Sequence, residues 1–108
     1  MFADKVYTLC KQIPKGKVST YKELARALDT KAYQAVGQAL RKNPYVQVPC
    51  HRVVSSTGHL YGFKGQRRGK AIQEKKMLLE KEGVIIKNNK VNLNRYLYLF
   101  YVFSSIVT

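Results

Sequence analysis

A cysteine followed directly by a histidine and an arginine is the feature of this sequence best suited to chemistry. Pro49, which stiffens the chain, precedes Cys50, and His51 and Arg52 follow it. A cysteine attacks as its thiolate, and because the pKa of a free thiol lies near ~8.5, a reactive cysteine needs a base or a positive charge nearby. The segment offers both. Taken alone, a Cys-His dipeptide is more often a buried structural cysteine beside a surface histidine.

Metal binding is the other common use of these side chains. The possible ligands are Cys10, Cys50, His51 and His59, and they lack the paired close spacing of structural zinc sites. We therefore expect no metal site. Two cysteines do not make a disulfide framework, and Cys10 lies among apolar residues at helical spacing, which is typical of a small buried hydrophobic residue.

Two short helices joined by a turn predict a helix-turn-helix. Thr20 and Glu23 match a capping box, in which a threonine oxygen and a glutamate carboxylate bind free backbone N–H groups at a helix start. Thr30 is a candidate cap for the second helix, expected over residues 31–42. That helix is rich in small residues, which allow close approach either to another helix or to a groove of DNA: Ala32, Ala35, Gly37 and Ala39.

The remaining patterns predict an α/β fold with a small hairpin. An amphipathic helix over residues 2–13 comes first, and residues 45–54 are expected to form an extended loop that enters a strand. A turn, a basic glycine-punctuated loop, a helix closed by Gly83 and a hairpin should follow, at residues 55–58, 62–70, 71–82 and 84–93.

The charge balance favours a polyanionic partner. The 108 residues suffice for one domain, and 20 Lys and Arg against 6 Asp and Glu give a formal net charge of +14. Nucleic acid and an anionic membrane surface both fit this charge, and a basic protein without such a partner remains an alternative. No signal peptide is evident, so we expect an intracellular, reducing location, specifically the cytoplasm.

The C-terminal residues 96–108 form an apolar and aromatic tail, which we separate from a domain over residues 1–95. The tail is too short to span a membrane as a helix, which needs ~20 apolar residues. Packing against the core is the favoured interpretation, and self-association or a position on a membrane surface are the alternatives.

Several motifs together resemble the O6-alkylguanine-DNA alkyltransferases, specifically their C-terminal active-site domain. The resemblance covers roughly residues 2–87, and its most specific element is Pro49-Cys50-His51-Arg52-Val53. Each of the other motifs is weak alone, but all occur in the family's order, in segments 16–21, 35–37 with Arg41, 43–44, 62–65 and 78–83. The resemblance implies a fold of the winged helix-turn-helix type found in that domain.

The resemblance also implies catalytic roles. Cys50 would accept the alkyl group, His51 would take the thiol proton through a water molecule, and Glu82 would orient that histidine. Tyr21 resembles the phenol that donates a proton to the leaving guanine, and Asn43 the hinge whose amide binds loop backbone. Without the family pattern, Glu82 would be a solvated charge at a helix end, Tyr21 a core aromatic and Asn43 a helix cap.

The family binds DNA through the minor groove and flips out the target base. The residues expected to contact DNA are Gln34, Ala35, Gly37, Arg41, Thr20, Lys42 and Arg52. The residues expected to line the base pocket are Val48, Phe63 and Lys64, together with the backbone of Cys50.

The sequence departs from the family pattern at several positions. Gln34 stands where the family usually has an arginine that fills the gap left by the flipped base. Phe63 replaces the usual tyrosine and Lys64 a usually small residue, residues 66–71 resemble an insertion, and no counterpart of the N-terminal domain of many members is present. These departures put the strength of base extrusion and the width of the pocket in doubt.

The expected function is therefore repair of double-stranded DNA containing O6-alkylguanine, by single and irreversible transfer of the alkyl group to Cys50. We expect a monomer that needs no cofactor and no membrane. One alternative is an alkyltransferase-like protein that binds damaged bases without transfer, although such proteins characteristically replace the reactive cysteine, often with tryptophan, and this chain has no Trp. A winged-helix transcription factor is another alternative, but it leaves residues 49–53 unexplained.

Overall fold

A computed structural model describes residues 2–61 and 69–100 of the chain. The elements, in chain order, are α1 (Phe2–Gln12), β1 (Ser19–Thr20), α2 (Tyr21–Ala27), α3 (Tyr33–Arg41), a 3-10 turn (Cys50–Arg52), β2 (Val53–Val54), α4 (Lys70–Lys81), β3 (Ile86–Lys87), β4 (Lys90–Val91) and α5 (Leu93–Tyr96).

The helix-turn-helix forms as predicted, but both caps differ in part from the prediction. At the first, the expected bond of the Glu23 carboxylate to backbone N–H is not found among the described residues, and this carboxylate instead lies 3.7 Å from Nη1 of Arg26. The side chain of Thr20 accepts a hydrogen bond from the backbone N–H of Glu23 and so caps α2. The cap of α3 is Ala32, which makes no side-chain capping bond, so the prediction that Thr30 caps this helix is wrong. Thr30 instead accepts from the backbone N–H of Ala32 at 3.1 Å, and the helix starts two residues later than predicted.

A short parallel pair joins the start of the helix-turn-helix to the chain that follows Cys50. Ser19 pairs with Val53 and Thr20 with Val54, and all four residues are buried. Cys50 itself lies in a 3-10 turn, whereas the sequence predicted an extended loop there. The N–H of Arg52 donates to the carbonyl of Pro49 at 2.9 Å and closes the turn.

Helix α4 ends where the sequence predicted, and a tight hairpin follows. Gly83 has φ of +94°, its N–H binds the carbonyl of Glu80, and the N–H of Val84 binds the carbonyl of Leu79, which is the Schellman arrangement of a helix end. Strands β3 and β4 are antiparallel and joined by two asparagines with positive φ, as the right-handed twist of a two-residue hairpin requires.

Two apolar clusters fill the interior. The first lies between α1, α2 and α3, the second lies under α4 and the hairpin, and Cys50 packs against both. The described part of the tail confirms the packing interpretation, because Tyr96 is buried in the second cluster and Tyr98 and Phe100 pack on the first. The division of the chain into a domain over residues 1–95 and a tail over residues 96–108 stays a prediction. Helix α5 extends across this boundary, and residues 101–108 lie outside the described part.

A helix-turn-helix followed by a small hairpin confirms the predicted α/β fold of the winged type. Within residues 2–61 and 69–100, no helix has the length and apolar character needed to cross a membrane.

We predict that Gly58→Ala destabilises the protein much more than Gly83→Ala. Both glycines have a φ that side chains rarely adopt, but a Cβ at Gly58 would lie 2.3 Å from the backbone oxygen of Val91, whereas a Cβ at Gly83 would meet nothing within 4 Å. The left-handed conformation costs each variant about 1–2 kcal/mol, and overpacking should add about 1–3 kcal/mol at Gly58 alone. Urea unfolding measures the difference, and equal losses would contradict the proposed clash.

Candidate active site

The 3-10 turn places Cys50 between the two apolar clusters, where its side chain is half-buried. The N–H of Cys50 binds the carbonyl of Val48 at 2.8 Å, which fixes the backbone on the N-terminal side of the turn. On the C-terminal side, β2 begins at Val53 and is held by its parallel pairing with β1. The thiol therefore projects from a segment fixed at both ends.

The neighbouring histidine is bound to a carboxylate from the far end of α4. Nε2 of His51 lies 3.0 Å from Oε2 of Glu82, and the two side chains are only 14% and 12% exposed. Because a carboxylate accepts, the neutral histidine is best assigned with its proton on Nε2, which leaves the lone pair on Nδ1. The side chain is thus arranged as a base, with its second nitrogen free of the Glu82 contact.

An arginine completes the group. The guanidinium of Arg52 donates from Nε to Oε1 of Glu82 at 2.9 Å and from Nη2 to Oε2 at 2.7 Å. Its Nη1 also donates to the carbonyl of Ile13 at 2.9 Å. This corrects the assignment of Arg52 to the DNA-contacting residues, because its side chain is 17% exposed and its guanidinium binds internal partners.

Burial and hydrogen bonding act in opposite directions on this group. Burial alone would raise the pKa of Glu82, but the hydrogen bonds from Arg52 and His51 and their charges outweigh it, so the pKa is lowered and the carboxylate stays ionised. For His51, burial lowers the pKa more than the Glu82 contact raises it. The histidine is therefore neutral at pH 7 and able to accept a proton.

A tyrosine lies at the start of α2, directly after the first strand of the parallel pair. Tyr21 follows β1 directly, packs against the first cluster and donates from its hydroxyl to the carbonyl of Tyr61 at 3.5 Å. Burial first, and then the electrostatic interaction with Cys50 and Cys10, raises the pKa of Tyr21 to about 12. The phenol accordingly keeps its proton at neutral pH and is able to donate it.

Asn43 fixes the segment between α3 and the 3-10 turn. Its amide donates to the carbonyls of Tyr45 and Val48 at 3.1 and 3.3 Å, and its oxygen accepts the N–H of Tyr45 at 2.9 Å. The hydrogen bonding to loop backbone expected of Asn43 is therefore present, and the helix cap is Lys42 instead. A cleft of about 390 Å³ opens here, lined in part by Asn43, Val48, Cys50 and His51.

Comparison with known proteins identifies the family. The sequence profile described as 6-O-methylguanine DNA methyltransferase, DNA binding domain, matches residues 1–84. The chain belongs to this family. A methylated-DNA--protein-cysteine methyltransferase from Thermococcus kodakarensis is 49% identical over 85 residues, which are 77% of this chain and 45% of that protein. The corresponding protein of Sulfolobus acidocaldarius is 45% identical over 87 residues, 80% of this chain and 52% of that protein.

Solved structures give the same fold. S. pombe Atl1, crystallised with damaged DNA containing O6-carboxymethylguanine, has a TM-score of 0.76 and 38% identity, over 90% of this chain and 94% of that one. The O6-methylguanine-DNA methyltransferase of Pyrococcus kodakaraensis KOD1 has a TM-score of 0.64 and 47% identity, over 77% and 46%. The chain thus spans about half the length of the curated methyltransferases that it matches.

Within this alkyltransferase-type domain, the outer face of α3 is open. Gln34, Ala35, Arg41 and Lys42 are exposed, and a Cβ built at Gly37 would meet no atom within 4 Å. Internal packing therefore does not require the small residues at positions 35 and 37. Of the small residues singled out in this helix, Ala39 alone is buried in the core.

Two groups of predicted site residues stand apart from this face. Thr20 is 3% exposed and its hydroxyl caps α2, which corrects its assignment to the DNA-contacting residues. Phe63 and Lys64, predicted for the base pocket, lie outside the described residues. Among those that are described, no group of three metal-ligating side chains occurs.

Sequence reasoning overlooked Lys75, whose side chain is fully buried and donates to the carbonyls of Val53 and Tyr61. The signal was present in the helical period, because Lys75 lies three residues after Ile72 and four before Leu79, both on the buried face of α4. The usual exposure of lysine argued against reading it as part of that face.

We predict that Glu82→Gln lowers the free energy of unfolding at pH 7 by about 3 kcal/mol, because Arg52 loses its ionised partner. Since the folded pKa of Glu82 is lowered, its contribution is complete above the unfolded value near ~4.3 and is lost as the pH falls through the folded value. The difference between wild type and variant, measured by urea unfolding from pH 7 to pH 3, should therefore shrink in acid.

The control is Glu80→Gln, an exposed residue of the same helix, which should change little at any pH. In Glu82→Gln the pKa of His51, followed by NMR, should fall further because a contact that raises it is lost. A pH-independent stability difference, or a rise in that pKa, would contradict the assigned roles.

Proposed function

We propose that this protein repairs double-stranded DNA by transferring the alkyl group of O6-alkylguanine irreversibly to Cys50. The observation that carries the proposal is the hydrogen-bonded His51–Glu82 pair beside a cysteine held in the family's pentapeptide, Pro49-Cys50-His51-Arg52-Val53. Relatives named methylated-DNA--protein-cysteine methyltransferases support it, although each extends well beyond the region matched here.

The chemistry follows from the roles of four side chains. The thiol proton of Cys50 passes through water to the neutral His51, whose positive charge the ionised Glu82 then stabilises. The thiolate attacks the alkyl carbon, so that a sulfur–carbon bond forms as the bond from carbon to guanine O6 breaks. The guanine leaves with the electron pair and receives a proton from Tyr21. The thioether has no route back, so each molecule acts once.

The binding surface proposed for DNA is the outer face of α3. Arg41 and Lys42 would contact phosphates, while Ala35 and Gly37 would allow the helix backbone to approach the minor groove. The target base has to leave the duplex to reach Cys50, which costs a few kcal/mol. The net charge of +14 supports a polyanionic partner. Val48, on the cleft beside Cys50, remains proposed for the base pocket together with Phe63 and Lys64.

A second candidate function, binding of damaged bases without transfer, is favoured by one observation. The match to S. pombe Atl1 covers 94% of that chain, whereas the matches to methyltransferases cover about half of theirs. The presence of Cys50 argues against it, since proteins of that kind characteristically lack the reactive cysteine. Monomeric state, independence of cofactors and membranes, and a cytoplasmic location stay predictions.

We predict that mixing the protein with a duplex carrying one O6-methylguanine adds one methyl group to the peptide containing Cys50. Intact and peptide mass spectrometry measure the gain, which should saturate at one per protein. Cys50→Ala should bind the duplex but show no gain. Cys10→Ala is the matched control and should react as wild type, because Cys10 is fully buried in the first cluster.

Tight binding to the lesion with no mass gain would instead establish the damaged-base-binding protein. Repeated turnover by one molecule would contradict irreversible transfer.

We predict that Gln34→Arg increases affinity for the lesion-containing duplex roughly three- to tenfold, about the effect of one added hydrogen bond. The longer charged side chain would fill more of the space left by the flipped base. Gln38→Arg is the matched control, since it adds the same charge to an exposed position of the same helix. Fluorescence anisotropy with damaged and undamaged duplexes measures both, and an equal gain from Gln38→Arg would indicate a general charge effect.

A further inference from the structure

Two lysines stand directly opposite each other in the hairpin. Lys87 pairs with Lys90 in the antiparallel register of β3 and β4, and both residues are exposed. Residues paired in this way lie on the same face of the ladder with Cβ atoms about 5 Å apart, where like charges destabilise the pairing. No carboxylate of residues 2–61 or 69–100 forms an ion pair with either lysine, so no described side chain offsets the repulsion.

The two lysines line a hollow of about 540 Å³ that has no acidic residue in its wall. The hollow lies between the turn after β2, the hairpin and the start of α5, and its polar residues are Ser56, Thr57, Lys87, Lys90, Asn92 and Asn94. Ammonium, amide and hydroxyl groups are all hydrogen-bond donors. The chain also contains no Asp or Glu after Glu82. This lining suits an anion with several oxygen atoms, such as a phosphate group.

The hollow has a fixed shape, because backbone hydrogen bonds join the hairpin to the turn after β2. The N–H of Val91 donates to the carbonyl of Gly58 at 2.8 Å, and the N–H of Leu60 donates to the carbonyl of Asn89 at 3.1 Å. The backbone of Val91 approaches Gly58 so closely that a Cβ there would lie 2.3 Å from its oxygen. The two lysines therefore project from a backbone whose position is set before a ligand binds.

A row of aromatic side chains connects the hairpin to the start of the helix-turn-helix. Lys90 forms an antiparallel bridge with His59, whose ring stacks on that of Tyr61 with 5.1 Å between centroids and 2° between planes. The carbonyl of Tyr61 accepts the hydroxyl of Tyr21 at the start of α2. Because two residues of chain span at most about 7 Å, only a short segment separates the hairpin from the helix-turn-helix.

We propose that the hairpin is a second DNA-binding element, in which Lys87 and Lys90 bind backbone phosphates beside the segment of duplex contacted by α3. The inference rests on the proposed function, because it takes DNA as the partner, but it applies to undamaged duplex as well as to duplex with a lesion. A phosphate between the two ammonium groups replaces their repulsion with charge-assisted hydrogen bonds. Contacts to phosphates alone give binding that is independent of base sequence and strongly dependent on salt.

The first experiment measures how affinity for an undamaged duplex depends on salt concentration. Each phosphate contact contributes about 0.9 to the slope of log K against log salt, so Lys87→Gln/Lys90→Gln should reduce the magnitude of the slope by about 2. At about 0.1 M salt the affinity should fall on the order of 10- to 100-fold. The matched control is Lys5→Gln/Lys11→Gln, which removes the same charge from exposed positions of α1, the helix packed on the inner side of α3. The control should keep the slope within about 0.5 of wild type.

Three outcomes of this experiment would overturn the proposal. An unchanged slope in the hairpin variant would mean that its lysines make no phosphate contact. Equal losses in the two pairs of variants would indicate a general effect of net charge. An unchanged slope combined with lost binding to vesicles of phosphatidylserine and phosphatidylcholine would assign the hairpin to a membrane surface instead. The hairpin variant should be no less stable to urea than wild type, because it removes a repulsion.

A second measurement uses the unaltered protein and so does not depend on the folding of a variant. Lysines are acetylated with an N-hydroxysuccinimide ester, with and without saturating undamaged duplex, and the peptides are quantified by mass spectrometry. Lys87 and Lys90 should lose most of their acetylation in the complex, as should Lys42 on the outer face of α3, whereas Lys5 and Lys11 should keep theirs.

The same measurement separates failure of this inference from failure of the proposed function. Protection of Lys42 without protection of Lys87 and Lys90 would overturn the role of the hairpin and leave binding through α3 intact. If all three lysines are protected but the protein gains no methyl group from an O6-methylguanine duplex, the proposed transfer fails while the hairpin remains a DNA-binding element.

Discussion

The carboxylate of Glu82 is the contact on which the rest of the site depends. It receives two hydrogen bonds from Arg52 and one from His51, and Arg52 extends the group to the carbonyl of Ile13 just beyond α1. Three segments distant in sequence therefore meet at one half-buried anion: the end of the first helix, the turn with the nucleophile and the end of α4. Because an ionised carboxylate removed from water is stable only when paired, each segment holds the others in place.

The parallel pairing of β1 with β2 is a second constraint, and it acts on the distance between α2 and the 3-10 turn. Its register of Ser19 with Val53 and Thr20 with Val54 sets how far the start of α2 can lie from the end of the 3-10 turn. The backbone of Tyr21, the next residue after β1, is therefore fixed relative to the turn that carries Cys50. Residues of the tail support the same pair from the other side, because the N–H of Tyr98 binds the carbonyl of Val18 and the Ser19 hydroxyl binds the carbonyl of Tyr98.

The parts of the fold that short-range chemistry determines were predictable from the sequence. The Thr20 cap, the Gly83 helix end and the hairpin each depend on residues within a few positions of one another. The turn at Cys50 was not predictable in the same way, because three residues with no apolar period, between Pro49 and the strand residues Val53 and Val54, fit an extended approach to the strand as well as a 3-10 turn. Thr30 failed as a cap because its hydroxyl binds Ala32 in the loop before the helix begins.

The site shows a sharper limit of sequence reasoning. Glu82 is 31 positions from His51, so only the family pattern connected them before the fold was seen. The same pattern did not reveal that Arg52 binds Glu82, because an arginine in a basic protein suits DNA phosphates as well as a buried carboxylate. Lys75 was missed although helical spacing placed it on the apolar face of α4, because lysine side chains are usually exposed.

The face of α3 proposed to bind DNA and the residues around Cys50 proposed to react differ in how they are held. The exposed residues of α3 are not needed to pack the core, and Gly37 has open space where a side chain would be. The residues around Cys50 each bind an internal partner, so their geometry is set before any ligand arrives. Asn43 connects the two regions, because its amide donates to the Val48 carbonyl within the eight residues, 42–49, that lead from α3 to the 3-10 turn. In the proposed complex, α3 docked on DNA would carry the thiol with it through this hydrogen-bonded segment, so we expect the lesion to reach Cys50 by movement of the flipped nucleotide.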